Sequence, residues 1–378
     1  MCIEALLEDF SYVCTALERH PILLNSDKKE QFSELMQKLR LSVRNYHSLI
    51  DALTEVTLFF QDGHTNIELP YTEADLCLKL PCNWKNDVLV LSGNCMDIPA
   101  GAEIVSVEAM SVSELFSFAE TRVPHENRYL VKSRTTEYPY KNYHLFSGMN
   151  LERLFGKKES YNIKFCINGV VLERQCPLVN YDGFLNFSQK LFVSYEVKED
   201  TLILHLRECI YNEEYKDTLR QVAELCRKKD LHNLELDLSE NMGGSSSVID
   251  EFIHYTHADT YRRYEMIDFS SGSPICVANR DQIVPNKKQD ILFPKRIVCR
   301  VSNTTFSSAR TFAVTLKDNG IATMIGEPTG GRPCSYGMPR KDVTPNFNIR
   351  FRVSRALFLR PNAELEREEA LYPEENES

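Results

Sequence analysis

Between residues 200 and 326 the sequence alternates short apolar runs with helix-period runs, and this alternation constrains the fold more than any other feature. Leu202-Ile-Leu-His-Leu206 predicts a strand, Tyr215 to Arg227 an amphipathic helix, and Leu234-Glu-Leu-Asp-Leu238 a second strand. A strand, a helix and a strand in that order form a βαβ unit, which normally builds a parallel sheet through a right-handed crossover. The pattern repeats downstream. Ile297, Val298 and Val301 make a strand-like run, Phe312, Ala313 and Leu316 recur at helical spacing before Gly320, and Ala322-Thr-Met-Ile-Gly326 supplies a further strand.

Two turns in this region carry chemistry. Ser307 and Ser308 stand at the first turn of the predicted helix, where main-chain N–H groups lack helical partners. A serine nucleophile placed there gains a donor for a developing oxyanion. Serine is also a preferred N-cap, so this stretch alone leaves capping and catalysis both open. The strand ending at Leu238 runs into Ser239-Glu-Asn-Met-Gly243-Gly244. Paired glycines between strand and helix let the backbone approach a ligand closely and present N–H groups, or they simply make a tight turn.

Upstream, residues 4 to 61 read as helices. Leu6, Phe10, Val13 and Leu17 share one face; Phe32, Leu35, Met36 and Leu39 another; Leu49, Leu53, Val56 and Phe59 a third. They end at Asp62-Gly-His64-Thr65, where a histidine after glycine can be aimed into a cleft or serve structure alone. From Leu69 to about Asn180 short strands and turns take over. Ser111 with Glu114 reads as a capping box, and Asn168-Gly169 as a hairpin turn. The expected organisation is an N-terminal helical region (1–68), a small α+β module (69–182) and a βα core (183–378) opening near Phe184. Its glutamate-rich tail, Glu364 to Ser378, is expected to fray.

The formal charge of −10 argues against a nucleic-acid or anionic-membrane partner. No uncharged apolar run reaches the roughly 18 residues of a membrane span. The N-terminus lacks a basic segment before its apolar stretch, and the 12 cysteines are scattered singly without zinc spacing. A reducing, cytosolic setting is therefore expected, with neither metal nor organic cofactor.

In order along the chain, these motifs resemble the C-terminal processing (tail-specific) serine peptidases and the related catalytic core of tricorn. Asp62-Gly-His-Thr65, Leu236-Asp-Leu-Ser-Glu-Asn-Met-Gly-Gly244, Phe306-Ser-Ser-Ala-Arg-Thr-Phe312 and Gly326-Glu-Pro-Thr-Gly-Gly331 carry the likeness. The resemblance implies an α/β fold with a core of stacked βα units related to Clp protease and crotonase, and a PDZ-like middle module. It implies Ser307 as nucleophile, the Ser308 N–H as one oxyanion donor, and Gly243 or Gly244 as the other, with Gly243 favoured.

The sequence departs from the family at the base. The lysine of the tail-specific branch is Arg332 here, and a guanidinium with a pKa above about 12 cannot serve as a base. Arg332 could hold a substrate carboxylate or brace its turn. The histidine of the tricorn branch falls on His64, although the serine before it is Gly63, and the arginine of the glycine-turn signature is Ser239. The implied function is a serine peptidase acting on peptides or unfolded protein tails. The rivals are an inactive peptide-binding homologue and an acyl-transfer enzyme of the crotonase type.

Overall fold

A computed structural model describes residues 2–136, 140–181 and 191–374. The expected boundary at 182–183, beside Phe184, and the last residues of the tail to Ser378 lie outside the described residues. The chain divides into two compact units. One comprises Met1–Glu18, Ser26–Gln189 and Arg340–Val353; the other comprises Arg19–Asn25, Lys190–Pro339 and Ser354–Ser378.

The first unit begins with helices Ile3–Leu17, Lys29–Arg40 and Tyr46–Leu58. Leu6, Phe10, Val13 and Leu17 are all buried, as their spacing predicts. Asp9 is fully buried among them, and its carboxylate accepts the main-chain N–H groups of Asn346 (3.0 Å) and Phe347 (2.9 Å). That contact fastens the late segment 340–353 to the first helix. The strand after the helices, Asn66–Glu68, pairs with Arg350–Val353, which pairs with Arg340–Val343.

The remainder of this unit is an antiparallel sheet with helices Val112–Glu120, Arg128–Thr136 and Gly148–Phe155. The hairpin expected at Asn168-Gly169 joins Ser160–Ile167 to Val170–Asn180. Both turn residues have positive φ (49° and 82°), the conformation that a twist-matched two-residue hairpin requires. The Ser111–Glu114 capping box is formed.

The second unit is built on a five-stranded sheet of β1 (Val193–Lys198), β2 (Thr201–Leu206), β3 (Asn233–Asp237), β4 (Arg296–Val301) and β5 (Thr323–Gly326). The strand order is β5-β4-β3-β2-β1, parallel except for the β1–β2 pair. An order that steps in one direction places successive crossover helices on one face. Those helices are α1 (Glu213–Lys229), α2 (Ser247–Ile253) and α3 (Ser308–Asp318).

Leu202, Leu204, Leu234, Leu236, Ile297 and Cys299 point into the core with Val222, Phe252 and Phe312 from the helices. Each large side chain buried this way contributes about 1.5–3 kcal/mol. The alternate residues His205, Glu235, Asp237 and Arg300 lie on the other face, which explains why the strands alternate instead of reading as continuous apolar runs.

The tail differs from expectation. Ala370 and Leu371 are fully buried, Leu371 joins the core, and the Glu374 N–H bonds the Met324 carbonyl at 2.9 Å. Two apolar residues among the glutamates suffice to dock it through residue 374. Among the described residues, no helix is long and apolar enough to cross a membrane.

Candidate active site

The second unit places its chemistry-bearing turns at the carboxyl ends of adjacent parallel strands, where ligands of open α/β sheets usually bind. Ser302 to Ser307 follow β4, and Ser239 to Ser246 follow β3. Asn241, fully buried, ties these segments together. Its side-chain amide donates to the Leu206 carbonyl (2.7 Å), its Oδ1 accepts the Gly243 N–H (2.8 Å), and its own carbonyl accepts the Phe306 N–H (3.1 Å). Thr305 adds a second tie, from its hydroxyl to the Leu238 carbonyl (2.8 Å).

Ser307 sits on this scaffold at φ 54°, ψ −127°, a strained conformation for a residue with a Cβ, and its side chain makes no capping bond to α3. Strain of this kind costs about 1–3 kcal/mol and persists only where the surroundings over-determine it. A serine on a sharp strand-to-helix turn is how a nucleophile is presented clear of its helix. The partner helix residue Ser308 is buried, and its hydroxyl donates to the Gly244 carbonyl at 2.8 Å.

Gly243 and Gly244 are both needed as glycines. A Cβ on Gly243 (φ 111°) would fall 2.6 Å from the Ser307 Cβ and 3.0 Å from the Ser308 nitrogen, and one on Gly244 (φ 136°) would fall 2.4 Å from the Cys209 carbonyl oxygen. The Gly243 N–H is already committed to Asn241, whereas the N–H groups of Gly244 and Ser308 meet no hydrogen-bond acceptor among the described residues. The four residues Ser307, Ser308, Gly243 and Gly244 are thus brought together. Arg332 is held by Glu369 through a two-pronged ion pair, Nε to Oε2 at 2.9 Å and Nη2 to Oε1 at 3.0 Å.

The back of α3 is anchored by charge. Arg360 and Asp318 are fully buried side chains joined by two hydrogen bonds, 2.6 and 3.0 Å, and Arg360 also bonds Glu368 at 2.5 Å. Hydrogen bonds from Arg360 to Asp318 and Glu368 outweigh the effect of burial, which would lower its pKa, and hold it above the ordinary arginine value.

His64 belongs to the other unit. Asp62 shapes its loop: Oδ1 accepts the His64 N–H (2.9 Å) and Oδ2 the Thr65 hydroxyl (2.6 Å). The His64 Nδ1 lies 3.7 Å from Asp62 Oδ1 and 3.9 Å from Glu126 Oε1. Both acids are almost completely buried, and the imidazole is 11% exposed. Arg134, also buried, donates to the carbonyls of Gly63 (2.6 Å) and Pro124 (2.8 Å), fixing the two loops that bear His64 and Glu126. Sequence reasoning gave Asp62 no role and did not reach Glu126 or Asn241. Asp62 and Asn241 stand inside recognisable motifs, but Glu126 carries no signal of its own.

Residues 200–364 match the family model described as peptidase family S41. No curated protein matches the chain by sequence. Among solved structures, mature CPAF is 14% identical, with a TM-score of 0.70 over 99% of this chain and 92% of its own. The photosystem II D1 C-terminal processing protease is 14% identical, with a TM-score of 0.51 over 100% and 94%. At these identities the likeness establishes a shared fold. The tricorn protease, 12% identical with a TM-score of 0.36 over 99% of this chain and 34% of its own, is too remote to bear on it.

Proposed function

We propose, from the premise that this chain carries a peptidase family S41 domain, that it is a serine peptidase cleaving peptides or unfolded protein tails. The observation that carries this reading is Ser307: a serine held at positive φ, not capping its helix and packed against the glycine turn, where the N–H groups of Ser308 and Gly244 meet no acceptor among the described residues. In the proposed mechanism Ser307 Oγ attacks the scissile carbonyl carbon while His64 takes its proton and returns it to the leaving amine. The Ser308 N–H and the glycine turn hold the oxyanion. Of the two glycines, Gly244 keeps its N–H available, while Gly243 provides the close approach. Water then releases the acyl-enzyme, with His64 again as base. None of these steps requires a metal or organic cofactor.

The wider assignment is a Clp- and crotonase-like core over 183–378, a PDZ-like module over 69–182 that presents the substrate tail, and a helical region over 1–68 that carries His64. The twelve cysteines, scattered singly along the chain, fit a reducing compartment such as the cytosol. The second reading is a peptide-binding homologue without turnover. Arg332 favours it, because it replaces the family lysine and its guanidinium is occupied by Glu369.

Reaction with a fluorophosphonate separates the two. The wild-type chain should become covalently labelled, Ser307→Ala should not, and His64→Ala should label more slowly by about 10²–10⁴, the range of a general base. An unlabelled wild-type chain would leave the binding homologue.

A further inference from the structure

We propose that Asp62, His64 and Glu126 bind a divalent transition-metal ion of the zinc class, and that the ion switches off His64 as a base. The binding stands on geometry alone; the switch rests on the reading of His64 given above. Nδ1 of His64, a carboxylate oxygen of Asp62 and one of Glu126 all lie within 4.8 Å of one another, the one such group of three among the described residues. Zinc takes nitrogen and oxygen ligands at about 2.0–2.2 Å, which sets two ligands of a tetrahedral ion about 3.3–3.6 Å apart. The His64–Asp62 and His64–Glu126 separations, 3.7 and 3.9 Å, need to close by a few tenths of an ångström, and the two carboxylate oxygens, within 4.8 Å of each other, by up to about 1.5 Å.

The donors are also held in advance. Thr65 donates to Asp62 Oδ2, while Oδ1, which also accepts the His64 main-chain N–H, is the oxygen turned to the imidazole. Glu126 Oε1 reaches the same loop through the Gly63 N–H at 3.4 Å, and Arg134 clamps the Gly63 and Pro124 carbonyls. Two acids and an imidazole converging in a buried site favour a cation there. One imidazole with two carboxylates suits zinc and its neighbours better than magnesium, which prefers oxygen ligands and retained water.

The switch follows from the two ring nitrogens. Without an ion, a proton on Nδ1 faces the two carboxylates, and Nε2 keeps the lone pair that a base needs. With the ion on Nδ1, a neutral imidazole must carry its proton on Nε2. That nitrogen then donates and cannot accept the serine proton.

The test uses the full chain, freed of metal by a chelator, titrated with Zn²⁺ by calorimetry and with Co²⁺ by absorption spectroscopy. One ion per chain should bind, and the cobalt spectrum should lack a thiolate-to-metal charge-transfer band, a needed control in a chain with twelve cysteines. Glu126→Gln should weaken the affinity by more than about 100-fold, beyond the 10–100-fold that loss of an outer-shell partner costs. His64→Gln, at the least buried of the three positions, should do the same and covers the case in which Glu126→Gln misfolds. A thiolate band, or isotherms unchanged in both variants, would place the ion elsewhere and end the proposal. Saturating Zn²⁺ should also stop fluorophosphonate labelling, with half-inhibition at the binding midpoint. Labelling that persists at saturation overturns the switch alone. A metal-free wild-type chain that never labels removes the peptidase reading and the switch with it, while the isotherms still decide the site.

Discussion

The loop around Ser307 and the loop around His64 are built from different materials. Ser307 rests on main chain: two glycines, a strained backbone angle and the buried amide of Asn241. His64 rests on charge: two buried carboxylates, with a buried guanidinium fixing the loops that carry them. A seat made of backbone does not titrate, but any added atom disturbs it. A seat made of charged side chains tolerates small shape changes, yet responds to protons and ions. If both loops serve one reaction, regulation belongs at the histidine and intolerance of substitution at the serine.

Gly243→Ala tests the first half of that contrast most severely. The new methyl would meet the Ser307 Cβ at 2.6 Å and the Phe306 carbonyl oxygen at 3.1 Å, at a φ of 111° that alanine rarely adopts. Ser307 or the glycine turn must move, and with it the proposed oxyanion donors. Fluorophosphonate labelling should fall by about 10²–10³, the cost of losing one such donor. Circular dichroism should show the fold retained, since the clash is confined to two turns. Labelling at the wild-type rate would mean that the turn is not part of the site.

How much of this was legible beforehand depended on whether the signal was local. The alternating runs that became β2, β3 and β4, the Asn168-Gly169 hairpin and the Ser111–Glu114 box are local patterns, and the structure follows them. The positive φ of Ser307 is not local; its loop is held by Asn241 and Leu238 at the neighbouring strand end, which accept the Phe306 N–H and the Thr305 hydroxyl. Glu126 meets the His64 loop only because the Arg134 helix brings it there. Asp9, to which the helical spacing assigns no role, receives the N–H groups of Asn346 and Phe347 from the far end of the chain. The docked tail was missed because Ala370 and Leu371 are too few to show a period among glutamates. The likeness of ordered motifs to a peptidase family singled out Ser307, Gly243, Gly244 and His64, which periodicity does not mark, but said nothing of what surrounds them here.

A buried charge also supports the serine unit, at the rear of α3, and this limits the contrast. Removing Arg360 leaves Asp318 buried without its two strongest hydrogen bonds. Arg360→Met should lower the unfolding free energy by about 3–5 kcal/mol, the usual penalty for breaking a buried pair from one side. Denaturant titration measures it. The folded fraction should still label at Ser307, because Arg360 acts on stability at the opposite end of the helix. A loss below 1 kcal/mol would show the pair to be replaceable by packing alone.

The second half of the contrast, sensitivity to protons, is best read in the unit of His64 through a different histidine. His144 is wholly buried, its Nδ1 hydrogen-bonded to the Tyr71 hydroxyl at 2.8 Å, and burial lowers its pKa to about 4. Above pH 6.5 the ring is neutral in both folded and unfolded chains, and it makes no pH-dependent contribution. As pH falls from 6.5 towards 4, the unfolded chain takes up the proton and the folded one does not, so stability drops. Below 4 both forms are protonated and the loss levels off, at about 3 kcal/mol in total. Trp84, the single tryptophan, lies in the same unit with its indole N–H on Thr135 (3.1 Å), so its fluorescence follows that unit. Urea unfolding monitored this way should weaken between pH 7 and pH 4.5, and His144→Gln, which cannot titrate, should flatten that slope. Parallel pH profiles for the two proteins would remove His144 as the cause.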